Sequence, residues 1–229
     1  MKRRILLLGV VALVLGLMVA PASAWIIVPD FGETGWQTYT YTAGPGGFSG
    51  TAGFLVSNHG DTDLDSGLLV DNLSQCSLPG NQSFELGNYN GYTLGPASNG
   101  TVTQGPVFSS NGNPYLPTNG EWMSYQLSNN DPTPAIFLNA YGHVGTDCSY
   151  LETGITLAAG ESFTFDWAFL AFDYVPFEDF SKFYLKDTGG DVVFQDGLGQ
   201  LAAVPVPPAV WLFGSGLLGL VGLRRFRKN

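Results

Sequence analysis

Positive charge is nearly missing from the body of this 229-residue chain. All nine Lys and Arg fall in three places: Lys2, Arg3 and Arg4; Lys182 and Lys186; and Arg224, Arg225, Arg227 and Lys228. Between the two ends, 19 acidic residues stand against two lysines, a net charge of −17. A phosphate backbone needs a basic footprint, so nucleic acid is excluded as a partner. Charge of either sign is scarce as well, 12% of residues against an ordinary share of about 25%. Histidine is limited to His59 and His143, and neither stands in a His-Glu-x-x-His run; a Gly-x-Ser-x-Gly nucleophile motif is also missing. Both histidines therefore read as turn or packing residues. A glycosidase needs only two carboxylates at the right separation, but no motif singles out a pair, and the chain is expected to be non-catalytic. Sustained helical periodicity and internal repeats are absent too, which argues against a helical or repeat architecture.

What is present begins with the two ends. Residues 1–24 combine Lys2-Arg3-Arg4, an apolar run over 5–20, Pro21, and Ala22-Ser23-Ala24. This is the layout of a secretory signal peptide, with Ala22 and Ala24 as the small residues of the cleavage site and Trp25 as the first mature residue. An uncleaved membrane anchor is the alternative. At the other end, residues 206–223 form an uncharged stretch of 18 residues followed by Arg224, Arg225, Arg227 and Lys228. As a helix it extends about 27 Å, close to the roughly 30 Å of a bilayer core. Gly214, Gly216, Gly219 and Gly222 give it poor propensity as a soluble helix, and no polar face meets water. The basic cluster stays cytoplasmic by the positive-inside rule, which places the acidic body across the membrane.

The run Val204-Pro205-Val206-Pro207-Pro208-Ala209-Val210-Trp211-Leu212-Phe213-Gly214, continuing to Leu223 and the basic tail, resembles a PEP-CTERM sorting signal over the last 26 residues. Pro205-Val206-Pro207 replaces the usual Pro-Glu-Pro, as in Val-Pro-Leu-Pro-Ala-like variants. The resemblance implies recognition by exosortase, a membrane-embedded cysteine protease of bacteria that make exopolysaccharide. It also implies an inner-membrane-anchored precursor whose middle domain ends at the cell surface or outside the cell.

The middle, 25–203, is long enough for one sizeable core. Gly44-Pro45-Gly46-Gly47, Gly95-Pro96, Asn111-Gly112-Asn113-Pro114 and Asp131-Pro132-Thr133-Pro134 punctuate it. Short apolar or alternating runs lie between them, at 54–56, 67–70, 121–127, 135–138, 155–157, 162–172, 180–185 and 192–194. Many short strands between turn signals predict an all-β protein, a β-sandwich of jelly-roll or immunoglobulin-like type, flanked by the signal helix and one C-terminal transmembrane helix. Phe163, Phe165, Trp167 and Phe169 alternate, so one strand face should carry an aromatic stripe into the core. Residues 25–51 include a stretch with little apolar alternation and read as a partly flexible lead-in. The segment 161–185, strand, acidic loop and strand, resembles the β-sandwich modules of bacterial surface proteins called choice-of-anchor domains, which implies the fold and no defined activity.

Three sets of residues invite a site. Cys76 and Cys148, the only cysteines, lie in the exported part, where an even pair is most simply a disulfide. Asp61, Asp63 and Asp65 have the Asp-x-Asp-x-Asp spacing that points oxygen ligands at a calcium ion. Ser66 stands where the turn glycine of such a loop is expected, and Asn72 takes the place of its closing Glu, with Asp71 adjacent. Asp173, Glu178 and Asp179 make a second candidate calcium loop. A solvated acidic turn is the plain alternative for both. The third set is aromatic: Trp36, Tyr39, Tyr41, Tyr89, Tyr92, Tyr115, Trp122 and Tyr125 offer sugar-stacking faces, although a β-sandwich core claims most aromatics. The expected function is an exported, exosortase-processed, non-catalytic surface or matrix protein associated with exopolysaccharide in a biofilm. A calcium-assisted carbohydrate-binding module is the alternative, and a glycan-active enzyme ranks third.

Overall fold

The structure, a computed structural model, describes residues 25–202. The expected signal peptide with Ala22 and Ala24, and the tail with Pro205, Val206, Pro207, the 206–223 helix and its basic cluster, lie outside the described residues. Within them the protein is all-β, with a single 3₁₀ turn at Gln82–Phe84. No helix among the described residues is long and apolar enough to cross a membrane.

Among the described residues there are fourteen strands, twelve of them in the two main sheets of a sandwich. In chain order they are β1 (Ile26–Val28), β2 (Gln37–Thr42), β3 (Phe48–Ser57), β4 (Gly67–Asp71), β5 (Thr93–Leu94), β6 (Asn99–Thr103), β7 (Val107–Phe108), β8 (Pro114–Tyr115), β9 (Met123–Leu127), β10 (Asp131–Pro132), β11 (Asp147–Leu157), β12 (Ser162–Leu170), β13 (Phe180–Asp187) and β14 (Val192–Leu201). The larger sheet runs β1-β14-β13-β3-β11-β10, with β5 also pairing on β11; the smaller runs β2-β12-β4-β9-β6. β7 and β8 form a separate two-stranded ribbon. All pairings are antiparallel except β1 with β14.

The alternation of side chains along each strand sorts the apolar residues into layers. Phe163, Phe165, Trp167 and Phe169 of β12 form the expected stripe, facing Ala52, Phe54 and Val56 of β3 and Phe183 and Leu185 of β13 in the inter-sheet core. The opposite faces are also covered. Leu55, Phe180 and Tyr184 turn outward from the larger sheet onto Phe137 and Cys148. Leu69, Ala168 and Leu170 turn outward from the smaller sheet onto Tyr115 and Met123. Close approach has its own requirement: Tyr184 lies flat across Gly53, its cross-strand neighbour, where any Cβ would occupy the space of the ring.

The structure departs from three expectations. The lead-in 25–51 contributes strands to both sheets, β1, β2 and the start of β3: β2 alternates half-buried Tyr39 and Tyr41 with exposed Thr38, Thr40 and Thr42, and pairs with β12 over six positions. The run 135–138 is a turn, in which Phe137 is buried while Ile136 and Leu138 remain exposed. Finally, Cys76 and Cys148 are free thiols. Cys148 is the second residue of β11 and packs with Phe180 and Tyr184. The Cys76 segment instead docks near the far end of the same strand, where Ser77 N donates to Thr153 Oγ1 at 3.0 Å. Thr153 lies five residue steps along β11 from Cys148, about 17 Å at strand rise, whereas a disulfide needs Cα atoms within about 7 Å.

Candidate functional site

Register places one end of the sandwich at the loops rich in acids. Ser57, the last residue of β3, pairs with both Cys148 and Phe180, near the starts of β11 and β13. Leu170, the last of β12, pairs with Gly67, the first of β4. The loops 58–66, 133–146 and 171–179 therefore leave from one edge, and the 29–36 turn joins them through Phe31 N donating to the Asp173 carbonyl at 2.9 Å.

Two buried side chains fasten this end. Asn58 is fully buried; its backbone exchanges hydrogen bonds with Asp147 and Thr146, its Nδ2 donates to Asp65 Oδ1 at 3.1 Å, and its Oδ1 accepts from Ser128 Oγ. Asp179, also fully buried, accepts from His59 N at 3.0 Å and from Ser66 Oγ at 2.6 Å, so one carboxylate grips both ends of the 59–66 loop. Burial pushes Asp179 up to about 7, with Asp173 and Asp61 adding to the rise and the bonds from Ser66 and His59 opposing it.

Above this floor lies an acidic cluster. Asp173 is 1% exposed; its Oδ1 accepts from Tyr174 N at 2.7 Å, and its Oδ2 has no hydrogen-bond partner among the described residues. Its carboxyl is raised by burial first, then by the nearby Asp61, Asp30 and Asp63. Asp61 Oδ1 accepts from Asp63 N, the turn that the Asp-x-Asp spacing implies. Asp30 Oδ1 accepts from Val175 N at 2.8 Å; it lies 145 positions away in sequence, so no local spacing marks it. The fold therefore brings the two acidic loops together and adds Asp30. Four of the expected ligands are used differently, beginning with Asp179, whose two oxygens are taken by His59 N and Ser66 Oγ in the floor. Asp65 is taken up by Asn58 and by Asn129 Nδ2. Asp71 sits at the far end of β4, where it holds Asn72, Thr118 and Asn119. Glu178 turns away from the carboxylates to the two histidines, 3.0 Å from His143 Nδ1 and 3.9 Å from His59 Nδ1.

The field around the cluster is strongly negative because the two lysines of the middle are occupied internally. Lys182 is 6% exposed, lies 4.9 Å over the Trp25 ring, and is drawn down to about 8 by burial, with Asp196 acting the other way. Lys186 Nζ meets Glu152 at 2.5 Å. A concentrated negative field of this kind draws divalent cations.

The aromatics expected as sugar platforms are packed instead. Tyr39, Tyr41, Tyr89, Tyr92 and Trp122 pack on the inter-sheet core, Trp36 and Tyr125 on the outer layer of the smaller sheet, and Tyr115 is buried in that layer. Exposed rings at the acidic end are others: Phe31 and Tyr174, with centroids 6.1 Å apart and tilted, and Tyr141, while the half-buried Phe177 stands edge-on to Tyr174. A recess of about 770 Å³ lies at the opposite end, lined by Ser49, Thr51, Cys76, Ile155 and Gly189 among others. Comparisons of the chain with protein-family models, with curated proteins and with solved structures find no match.

Proposed function

We propose that this chain is an exported, non-catalytic surface or extracellular-matrix protein that associates with exopolysaccharide. In this reading a signal peptide and one C-terminal transmembrane span flank a jelly-roll-like sandwich, and exosortase removes the tail. The observation that carries it is the division of charge: every acidic residue lies in 25–203, while seven of nine basic residues cap the two apolar terminal segments. Intact-mass measurement on membrane and culture fractions of the native host tests it. The expected species outside the cell begins at Trp25 and ends within 204–208. A species found only in membranes and still carrying 224–229 overturns the sorting reading and the matrix role built on it.

The convergence of Asp61, Asp63, Asp30 and Asp173 beside exposed Phe31 and Tyr174 favours a second reading, calcium-assisted glycan binding. Hard carboxylate oxygens suit Ca²⁺, and the unpartnered Asp173 Oδ2 supplies an anion whose burial a cation would offset. Calcium titration of the full-length protein should show saturable binding that Asp173→Asn weakens by about tenfold or more, ~1.4 kcal/mol. Retention on the host polysaccharide should be abolished by EDTA. Retention that EDTA leaves unchanged assigns the domain to passive matrix packing instead.

A further inference from the structure

We propose that His59, His143 and Glu178 form a binding site for a borderline-soft divalent metal of the Zn²⁺ class, distinct from the acidic cluster beside it. Three loops supply one ligand each, and one donor atom from each residue lies within 4.8 Å of the other two. Two donors on a tetrahedral zinc, each about 2.0–2.1 Å from it, stand about 3.4 Å apart. Glu178 Oε2 is 3.0 Å from His143 Nδ1 and 3.9 Å from His59 Nδ1, so the present distances bracket the ligated one. The two histidine donors are themselves within 4.8 Å of one another. The imidazoles are stacked with centroids 5.1 Å apart and an interplanar angle of 12°, which presents both rings to the same carboxylate.

The site is built and oriented before any ion arrives. Asn139, 5% exposed, donates through Nδ2 to Glu178 Oε2 at 3.0 Å, while its Oδ1 accepts from Tyr141 N and His143 N. A bond from Asn139 N to the His143 carbonyl and the Leu138–Val144 bridge close the same loop. One residue thus fixes both the glutamate and the backbone of a histidine, as the residues that support metal ligands do. His59 is held by its own N–H on Asp179 Oδ1. Its Nδ1 is buried with no hydrogen-bond partner among the described residues, a cost that a metal bond would remove.

The ligand set decides the ion. Two imidazole nitrogens and one carboxylate suit Zn²⁺, Cu²⁺ or Ni²⁺, whereas Ca²⁺ takes oxygen ligands. His143 is 54% exposed on its side chain, so the ion faces solvent with one coordination position open to water or to an oxygen of a bound molecule. Its structural effect is to tie together loops that are separated by 84 and 35 positions in sequence.

The test is ZnCl₂ titration of the full-length Cys76→Ser protein in the presence of excess Ca²⁺, followed by calorimetry and by ¹H–¹⁵N spectra of the imidazoles. Cys76→Ser removes the half-exposed thiol as a competing ligand, and the chain has only two histidines, so the imidazole signals are few. One Zn²⁺ per chain should bind, shifting both histidine signals. His143→Ala and the isosteric Glu178→Gln should each weaken binding by at least about 100-fold, since even partners outside the ligand shell are worth about 10–100-fold. Uptake that leaves the imidazole signals unmoved, that survives both substitutions or that calcium displaces would overturn the proposal. Excess calcium is present throughout and the substitutions spare Asp61, Asp63, Asp30 and Asp173, so failure here leaves the calcium reading untouched.

Discussion

Phe183→Ala is expected to destabilise the protein by about 3–5 kcal/mol, the range for removing a fully buried phenylalanine. Phe183 is fully buried and is the ring on which the two sheets meet. Its centroid is 5.0 Å from Phe165, 5.1 Å from Tyr39, 5.9 Å from Phe54 and 6.0 Å from Phe163, with Phe194 and Tyr41 just beyond. Truncation loses the transfer energy of the ring and leaves a cavity between β-sheets whose pairing prevents collapse onto it. Domains of this size have about 5–15 kcal/mol in total, so a large share of the margin is at stake, and Tm should fall by roughly 6–20 °C. Urea titration of the full-length protein measures it, with Phe108→Ala as the contrast: Phe108 is 56% exposed, and such surface changes stay within about 0.5 kcal/mol. Equal losses for the two substitutions would contradict the layer assignment.

The partners of Phe183 show what could be read in the chain and what could not. The stripe Phe163, Phe165, Trp167 and Phe169 was legible because four large apolar side chains at period two have one interpretation. β2 carries the same period in Gln37–Thr42, but its inward residues are tyrosines and its outward ones threonines. Its contrast in hydrophobicity is therefore low, although its contrast in size is high. The run 135–138 misled in the opposite direction, since four apolar neighbours in a turn bury only Phe137. Cysteine parity could not reveal that Cys148 would lie near one end of β11 while the Cys76 segment docks near the other. At the acidic end, the spacing of Asp61 and Asp63 was local and visible. The joining of that loop to Asp173 and Asp30, and of His59 to His143 and Glu178, depends on sheet register between residues far apart in sequence, for which one sequence has no signal.

The same limit applies to Asp71, whose place beside Asn72, the closing position of the calcium-loop pattern, suggested a ligand. Asp71→Ala is expected to cost about 2–4 kcal/mol while leaving calcium affinity unchanged. The residue is fully buried at the end of β4. Its Oδ2 accepts from Thr118 N at 2.6 Å, Asn119 N at 3.0 Å and Thr118 Oγ1 at 3.1 Å, and its Oδ1 from Asn72 N at 2.6 Å. Burial raises this carboxyl above its usual range and the four bonds pull it back, so the loop before β9 is held by an anion that its donors only partly compensate. Removing the acceptor strands three backbone N–H groups, each costing about 1–3 kcal/mol where water cannot replace it. Asn72, in the left-handed region at φ 52°, loses the bond that steadies that conformation. Asp71→Asn keeps one oxygen but turns an amide N–H₂ toward a donor, and should cost about 1–2 kcal/mol. Denaturation midpoints paired with calcium titrations separate the two roles. Loss of stability with intact calcium binding places Asp71 in the scaffold, whereas lost calcium binding in a variant of unchanged stability would return it to the ligand set and contradict the geometry at the end of β4.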